Sequence, residues 1–477
     1  MPATARRALR ARPSPPTRLL FLAWSLLLAG CGGELPSPPP TPDVLLLITV
    51  DTLRADRLGA YGSPLGLTPN LDALAEESIV FEAAYAAAPF TLPSLSALMT
   101  GRHPQELGVF RNESMLPQTV PTLASELRNR GWGTHAVVSN FILRRASGIA
   151  SGFDSFDDEF PQREAVRKWP ERTAPDTTDA ALAGLDGCTA SADAPCFLWV
   201  HYQDPHGPYT PPDDLRAREL AREADAPDAS RQLPVSEDHI GIGGIPDYQL
   251  LDGRRDLGFY RAGYHAEIRY FDRELGRLLD ELDREDLMDD ALVVFTSDHG
   301  ESLGERDYWF SHSQHLHSEL VHVPFLVRYP EGVLRPAASE VDGYRRVTGL
   351  VSHLDVPPTI LGAFGLDALP GYGEGLLAPE LDPEKLVAHT GGGSFGLSDG
   401  RYRLIYSDGR AQLFDTSTDP DELHDLALER SARLRDMLDR HKAAVSRLPH
   451  LEVKGVAVEE TAADLKALEA LGYTGEE

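Results

Sequence analysis

The chain has 477 residues, a formal net charge of −29 at pH 7, 42% hydrophobic residues and 25% charged residues. This composition indicates a globular protein with one large core or two modest ones, and it excludes collagen-like, coiled-coil and wholly disordered classes. The acidic balance argues against a nucleic-acid partner, because phosphate binding needs a surplus of Lys and Arg. No apolar run reaches the roughly 18 residues that an interior transmembrane helix needs.

The start of the chain is predicted to be an export signal. Its first 18 residues contain five Arg and no acid, residues 19–29 are apolar, and Leu-Ala-Gly precedes Cys31. A basic start, an apolar core and a small-residue site are typical of a secretory signal, and this one resembles a bacterial lipoprotein signal with a lipidated Cys. We predict a signal peptide over 1–30, a Pro/Gly-rich tether over 31–42 and an exported lipoprotein of the cell envelope, facing the periplasm or the outer surface. A plain signal with an incidental Cys is the alternative.

Two cysteines remain once Cys31 is assigned to the signal. Cys188 and Cys196 lie eight positions apart, and one close pair in an exported protein favours a disulfide over two free thiols. A zinc site is disfavoured because no further Cys is available.

Short apolar runs alternate with amphipathic stretches through most of the chain. Continuous apolar runs are typical of strands buried on both faces of a parallel sheet. In chain order the pattern predicts a strand over 43–50, a helix over 68–75, a loop feeding a helix over 89–102, a strand over 197–200, a helix over 264–285 and strands over 291–297 and 323–328. Residues 210–256 have weak periodicity and are predicted to be a surface excursion. The alternation predicts an α/β sandwich on a largely parallel sheet.

The pattern changes after about residue 365. Residues 402–406 and 411–415 flank a Ser-Asp-Gly turn and predict an antiparallel hairpin. A helix is predicted over 427–448. We therefore predict a main domain over 43–365, a small C-terminal α+β subdomain over 366–450 and a tail over 451–477.

Acidic residues directly follow two of the predicted buried strands. Asp51 ends the first, and Asp298 and His299 follow the strand over 291–297. Open α/β sheets bind ligands beyond the carboxyl ends of their strands, so these side chains are expected to converge. Two carboxylates and an imidazole suit one divalent cation such as Ca²⁺, Mg²⁺ or Mn²⁺. Taken alone, each Asp is more often part of a turn.

Thr91 lies near the start of the helix within 89–102, ahead of Pro93. The simpler interpretation is that Thr91 only caps this helix. The alternative is that a hydroxyl held at a helix N-terminus, where anions bind, loses its proton beside a metal and attacks. Ser94 and Ser96 are nearby competitors, but they lie inside the first turns, where Ser more often caps or packs.

Together these blocks resemble the sulfatase family of the alkaline phosphatase superfamily, over about residues 43–430. The matching segments are Asp51-Thr52-Leu53-Arg54-Ala55-Asp56, Thr91-Leu92-Pro93-Ser94, Ser297-Asp298-His299-Gly300-Glu301 and Arg401-Tyr402-Arg403-Leu404-Ile405. Each motif alone is weak, whereas their order and spacing are specific. The resemblance implies an alkaline-phosphatase-like sandwich and a metal-dependent hydrolase of sulfate or phosphate-type esters.

The departures from the family pattern bear on the chemistry. In well-known sulfatases the nucleophile position is a Cys or Ser that is oxidised to formylglycine. In this chain that position is Thr91, and Leu95 stands where those sulfatases have an Arg. Thr52 replaces a second Asp, His299 replaces an Asn, and the usual Lys-x-His is lost near residues 138–140. The pattern is closer to relatives that use an unmodified Thr, including phosphonate and phosphodiester hydrolases and phosphoglycerol or phosphoethanolamine transferases. No formylglycine is expected.

The same resemblance implies roles for two histidines. His206 and His312 match family positions that bind the transferred group or protonate the leaving oxygen, with Asp51, Thr91, Asp298 and His299 as metal ligands. The remaining histidines after residue 312, which are His315, His317 and His322, are more often incidental.

We thus predict a metal-dependent ester hydrolase that forms a covalent intermediate on Thr91. Its substrate is expected to be a small-molecule, glycan or lipid-headgroup sulfate or phosphate ester, with the membrane reached through lipidated Cys31. Two alternatives stay open, namely transfer of a phosphoryl group to an alcohol acceptor and a non-catalytic binding lipoprotein with a sulfatase fold.

Overall fold

The computed structural model describes residues 44–189, 194–236, 240–378, 381–382, 385–391 and 393–445. The predicted signal peptide, tether, lipidated Cys31 and C-terminal tail lie outside these residues. Within the described ranges, no helix combines the length and the apolarity needed to cross a bilayer.

The described residues form seventeen strands and ten α-helices. Strands β1 to β17 are Val44–Val50, Ile79–Tyr85, Gly133–Val138, Ser155–Asp157, Gln162–Arg163, Pro170–Glu171, Cys196–Tyr202, Ala291–Ser297, Ser302–Leu303, Trp309–Ser311, Phe325–Arg328, Ser339–Val341, Tyr344–Ser352, Val387–Gly391, Ser394–Ser398, Tyr402–Ser407 and Arg410–Asp415. Helices α1 to α10 are Pro69–Glu77, Thr91–Thr100, Pro104–Leu107, Leu123–Asn129, Ala174–Thr189, Asp213–Glu223, Leu257–Arg284, Ser318–Val321, Val356–Ala363 and Ser431–Val445.

Nine strands form the central sheet, in the order β12-β13-β2-β11-β8-β1-β7-β3-β4. Strand β1 is parallel to both neighbours, and its register places Val50 opposite Tyr202 on one side and Ser297 on the other. Strand β11 is antiparallel to β2 and β8. The sheet is therefore mixed but mostly parallel, as predicted, and its three central strands end at the same level.

Alternate residues of β1 contribute to different cores. Leu45 and Leu47 pack in the cluster that includes α2, α4 and α9, whereas Leu46 and Ile48 pack in the cluster that includes α1, α5 and α7. This follows from the period of two along a strand. It also explains why the central strands are continuous apolar runs, since helices cover both faces of the sheet.

One predicted boundary and one predicted segment are wrong between residues 210 and 285. Helix α7 begins at Leu257, before the predicted start at 264. The stretch 210–256 is not a simple surface excursion, because it contains α6, whose buried Glu219 pairs with Arg269 of α7 at 2.5 Å. Helix α6 has few apolar positions and is held to α7 partly by ion pairs, which hydrophobic periodicity does not reveal.

The C-terminal elements form a separate antiparallel sheet, in the order β14-β15-β16-β17. The predicted hairpin is confirmed, with Tyr402 opposite Asp415. The helix predicted over 427–448 corresponds to α10, which begins at Ser431, and residues 446–448 lie outside the described part of the chain. Met437 of α10 packs against Leu404 and Leu413.

The two remaining cysteines are joined in a disulfide, as predicted. Cys188 lies near the end of α5 and Cys196 begins β7, with their Cα atoms 5.4 Å apart. The bridge ties α5 to the strand on which it packs.

Candidate active site

The carboxyl ends of β1 and β8 place two Asp side chains together. The Asp51 backbone N–H donates to Tyr202 O at 2.9 Å, and the Asp298 N–H donates to Val50 O at 3.1 Å. Both side chains are fully buried. The convergence follows from the parallel register of neighbouring strands.

Histidines complete a four-residue cluster around these carboxylates. Asp51, His201 and Asp298 each offer a ligand atom, and these three atoms lie within 4.8 Å of one another. The Nε2 atom of His299 lies 3.8 Å from Asp51 Oδ1 and 3.5 Å from Asp298 Oδ2. The structure thus brings the three predicted strand-end residues together and adds His201 from β7.

The atoms that face one another in this cluster have no hydrogen-bond partner among the described residues. They are Asp51 Oδ1, His201 Nε2, Asp298 Oδ2 and His299 Nε2. Buried polar atoms are rarely left unpaired in folded proteins, so such a group points to a ligand.

The tautomer of His299 strengthens this argument. Its Nδ1 lies 2.9 Å from the carbonyl oxygen of Gly300, which can only accept, so Nδ1 carries the proton and Nε2 carries a lone pair. That lone pair faces the carboxylates of Asp51 and Asp298, an arrangement that is repulsive unless a cation or a proton lies between them. The residues present therefore fit a divalent metal ion.

Hydrogen bonds to the outer atoms fix the orientation of the cluster. Asn140 Nδ2 donates to Asp51 Oδ2 at 2.5 Å, and the backbone N–H groups of Thr52 and His299 donate to Asp298 Oδ1 at 3.1 and 2.7 Å. Thr49 Oγ1 lies 2.8 Å from His201 Nδ1. Such outer contacts orient metal-binding side chains and leave one atom of each directed at the ion.

Burial controls the protonation of the cluster. It raises the pKa of Asp298 well above the usual range, and the charge of Asp51 raises it further. Burial also acts to raise the pKa of Asp51, but the facing imidazoles of His206, His201 and His299 outweigh it and the pKa is lowered. Without a cation, Asp51 carries the charge and Asp298 tends to hold a proton.

Thr91 is the first residue of α2 and does not cap it. Phe90 occupies the N-cap position, no side-chain capping bond is present, and the fully buried Thr91 Oγ1 has no partner among the described residues. The capping interpretation is therefore wrong, because the hydroxyl is not used by the helix.

Ser94 ties the first turn of α2 to the end of β8. Its Oγ donates to Asp298 O at 2.7 Å and accepts from Nδ1 of His353 at 2.9 Å. Both hydrogen-bonding directions of this hydroxyl are occupied, whereas Thr91 Oγ1 has no partner among the described residues.

His206 and His312 lie beside the cluster. The ring centroids are 5.3 Å apart for His206 and His312, and 4.5 Å apart for His299 and His312. Nδ1 of His206 lies 2.6 Å from Gly207 O, so Nδ1 carries the proton and Nε2 can accept one. Burial lowers the pKa of both rings, to about 4 for His312.

Three further histidines have structural partners instead. His317 Nδ1 lies 2.6 Å from Glu422 Oε2, and His322 Nε2 lies 2.8 Å from Glu82 O. The ring of His315 packs edge-on against Tyr308.

Sequence reasoning missed three residues of this site. Asn140 stands in the segment noted only for a lost Lys-x-His, and His201 lies one position past the predicted strand over 197–200. Glu301, in the predicted metal block, is fully buried, its Oε1 lies 3.6 Å from His312 Nδ1, and burial raises its pKa to about 8. A prediction that β7 lies beside β1 in the sheet would have indicated His201 as a site residue, because both strands end at the same edge of the sheet.

The fold and the strand-end cluster agree with the alkaline-phosphatase-like sandwich that the sequence resemblance implies. The family model described as Sulfatase matches residues 43–366. The chain belongs to the sulfatase family.

Relatives support this assignment along most of the chain. An ulvan-active sulfatase of Formosa agariphila is 26% identical over 454 residues, which cover 86% of this chain and 82% of that protein. The solved structure of BT4656 in complex with D-glucosamine-2-N,6-O-disulfate has a TM-score of 0.68 and 18% identity, and covers 87% of this chain and 100% of that one. The solved structure of a phosphonate monoester hydrolase of Agrobacterium radiobacter has a TM-score of 0.62 and 22% identity, and covers 86% of this chain and 96% of that one. As a member of the sulfatase family, the chain is an ester hydrolase.

Proposed function

We propose that this enzyme hydrolyses a sulfate or phosphate-type ester through a covalent intermediate on Thr91. One divalent cation, Ca²⁺, Mg²⁺ or Mn²⁺, would be held by Asp51, Asp298 and His299, with His201 as a further ligand and Thr91 Oγ1 beside it. The observation that carries the proposal is the set of buried ligand atoms and the buried Thr91 hydroxyl, all without partners among the described residues. No formylglycine is required, because the hydroxyl itself is the nucleophile.

The chain's own residues account for the remaining steps. A bound divalent cation supplies charge stabilisation for the ester oxygens and favours the ionised hydroxyl. Thr91 Oγ1 forms a bond to sulfur or phosphorus while the bond to the leaving alcohol oxygen breaks. His206 Nε2, which carries a lone pair, accepts the proton of Thr91 and passes it to the leaving oxygen, and His312 binds the transferred oxygens. Water then attacks the intermediate, which releases sulfate or phosphate and restores the hydroxyl.

A turnover panel on purified, metal-analysed protein tests this proposal. The panel compares an aryl sulfate, a phosphate monoester, a phosphate diester and a phosphonate monoester. Thr91→Ala should lower the rate roughly a thousandfold or more while fold and metal content persist, since metal and oxyanion contacts leave residual catalysis. Thr91→Ser should keep measurable activity. Normal turnover by Thr91→Ala would refute the assignment.

Ser96→Ala is the matched control in the same helix. Ser96 is also fully buried and its Oγ has no partner among the described residues, so its removal should leave the rate near that of the parent. The same panel separates the alternatives. Products carrying an added alcohol would assign transfer, and no turnover together with no stoichiometric divalent ion would assign a binding protein.

We also propose that the mature protein is an exported lipoprotein anchored in the envelope through Cys31. The support is the basic start, the apolar run over 19–29 and the Leu-Ala-Gly before Cys31. Cys31→Ala should abolish lipid labelling and give a soluble or unprocessed form. A parent protein without a lipid label would contradict this proposal.

The proposed substrate is an ester of a small molecule, a glycan or a lipid headgroup. The support is that the Formosa relative is named an ulvan-active sulfatase and that the BT4656 structure contains a sulfated glucosamine. A sulfate ester is the class that these two names favour.

A further inference from the structure

A surface hairpin near the candidate active site carries a buried arginine. Strands β5 and β6 pair antiparallel, and residues 164–169 connect them. Arg163 and Lys168 of this hairpin are exposed, whereas the side chains of Glu164 and Arg167 are only 2% and 7% exposed. These two buried charges have no part in the hydrolysis proposed above.

The base of the hairpin lies beside the strand-end cluster. Glu171 of β6 forms an antiparallel bridge with Asn140, the residue that donates to Asp51 Oδ2. Glu171 and His206 also line the same cavity of about 230 Å³. The hairpin is therefore attached to the site through residues that contact both the carboxylates and a proposed catalytic histidine.

The connecting residues of the hairpin pack toward the segment that carries His312. The guanidinium carbon of Arg167 lies 4.5 Å from the centroid of the Tyr248 ring, which is a cation–π contact. Tyr248 Oη donates at 3.4 Å to the carbonyl oxygen of Phe310, two residues before His312. Arg167 is thus held on the side of the site where His312 lies.

The charge of Arg167 acts on both proposed catalytic histidines. Burial is the main reason that the pKa values of His206 and His312 are lowered, and the positive charge of Arg167 lowers both further. The same charge would attract an anionic ester group bound at these imidazoles.

One nitrogen of this guanidinium is left for a ligand. Nε and Nη2 of Arg167 donate to the two carboxylate oxygens of Glu164 at 2.6 and 3.0 Å, whereas Nη1 donates to no acceptor in the described part of the chain. A guanidinium has five N–H donors, so one that is paired along one edge can still bind an oxyanion along another. Arg54, whose Nη1 donates to Glu301 O at 3.0 Å, has all three nitrogens bonded to protein acceptors instead.

We propose that Arg167 binds an anionic oxygen of the transferred sulfuryl or phosphoryl group through Nη1, with Glu164 and Tyr248 positioning the guanidinium. This inference rests on the proposed function, because it takes the transferred group to lie between Thr91 and the two imidazoles. A hydrogen bond between two charged groups is roughly twice as strong as a neutral one, and the planar guanidinium suits sulfate and phosphate oxygens. Such a contact stabilises the charge on the transferred oxygens during the reaction.

Anion binding at equilibrium tests this contact without turnover. Inorganic sulfate and inorganic phosphate are each titrated by calorimetry into the purified, metal-loaded protein. Arg167→Met should weaken the better-bound anion at least about tenfold. Arg163→Met, which removes an exposed charge from the same hairpin, is the matched control and should bind like the parent. Equal affinity in the parent and in folded Arg167→Met, or no binding of either anion to the parent, would overturn the inference.

A double variant separates anion binding from a purely structural role of the ion pair. Arg167→Met alone leaves the buried carboxylate of Glu164 without its cation, whereas replacing both members of a buried pair is often neutral for stability. If Arg167 binds the anion, Arg167→Met combined with Glu164→Gln should stay at least about tenfold weaker than the parent. Glu164→Gln alone still accepts from the guanidinium and should bind like the parent. Recovery of the parent's affinity in the double variant would assign Arg167 to holding the hairpin and refute the contact.

Turnover separates this inference from the proposed function. With the best ester of the panel, Arg167→Met should lower kcat/KM at least about tenfold, and Arg163→Met should leave it unchanged. If no ester reacts but anion binding depends on Arg167, the proposed function fails and the anion contact stands. If esters react and folded Arg167→Met turns them over like the parent, the proposed function stands and this inference fails.

Discussion

Asp298→Asn should stabilise the metal-free protein and remove most of the stabilisation that a bound metal ion gives the parent. The Asn keeps an oxygen for the N–H groups of Thr52 and His299, which donate to Oδ1 in the parent. It removes one of two carboxylates whose ligand atoms lie within 4.8 Å of each other. The variant therefore isolates the charge of Asp298 from the hydrogen bonds that hold the loop.

The distance sets the size of the effect. Two full charges 4.8 Å apart repel by about 3.5 kcal/mol at an effective dielectric constant of about 20. The metal-free parent avoids part of this cost by binding a proton at Asp298. We therefore expect metal-free Asp298→Asn to be more stable than the metal-free parent by about 1–3 kcal/mol at pH 7. With metal at about a hundred times its dissociation constant, the parent should gain about 2.7 kcal/mol and the variant little.

The pH dependence has a definite sign. Burial and Asp51 raise the pKa of Asp298 above its ordinary value of 3.8. The folded metal-free protein therefore binds this proton more tightly than the unfolded chain, and the stability that it contributes is lost as pH rises toward the folded pKa. The metal-free parent and Asp298→Asn should be most similar near pH 4 and diverge toward pH 7.

Urea unfolding in the presence of a chelator or of added divalent metal measures both effects. Asp290→Asn, an exposed position just before β8, is the control and should follow the parent in both conditions. The argument is refuted if the chelator leaves the parent's unfolding free energy unchanged. It is equally refuted if metal stabilises Asp298→Asn as much as the parent.

Three further predictions concern the surrounding structure. Cys188→Ser, which opens the disulfide, should lower the unfolding free energy by about 2.5 kcal/mol, measured by urea unfolding under non-reducing conditions. Arg403→Met should lower the unfolding free energy by about 3–5 kcal/mol. The reason is that the buried carboxylate of Glu422, which lies 2.5 Å from Arg403 Nη1, loses its main cation. Glu422→Gln combined with Arg403→Met should recover part of that loss. Gly300→Ala should abolish turnover, because the added Cβ would lie 2.0 Å from the carbonyl oxygen of Glu319. A kcat/KM similar to that of the parent would contradict this prediction.

The sequence was most informative where the fold repeats a simple pattern. Strands β1 and β8 are buried on both faces, and this produces the continuous apolar runs from which they were predicted. Their parallel pairing brings Asp51 and Asp298 to one edge, so the strand-end argument sufficed to bring these two residues together.

Residues that enter the site through tertiary pairing were harder to predict. His201 continues β7 by one residue beyond the apolar run, and Asn140 reaches Asp51 across 89 positions of sequence. Neither carries a local signal, because each depends on which strands are neighbours. The same reason applies to α6, whose ion pairs with α7 have no periodicity to detect.

The role of the Thr91 hydroxyl could not be predicted from the sequence for a different reason. Composition and spacing place Thr91 at a helix start, where a capping hydroxyl and a reactive hydroxyl have the same sequence signature. Only the hydrogen-bond partners separate them, and the structure assigns none to Thr91 Oγ1 among the described residues.

The most direct test of the account is the chemical state of residue 91 during turnover. The enzyme is mixed with the best ester of the panel, quenched with acid within the first turnovers, and the peptide containing Thr91 is analysed by mass spectrometry. We predict unmodified Thr91 in the resting enzyme and, after the quench, a fraction of Thr91 carrying one sulfuryl or phosphoryl group. The same group found on Ser94 instead of Thr91 would contradict the account.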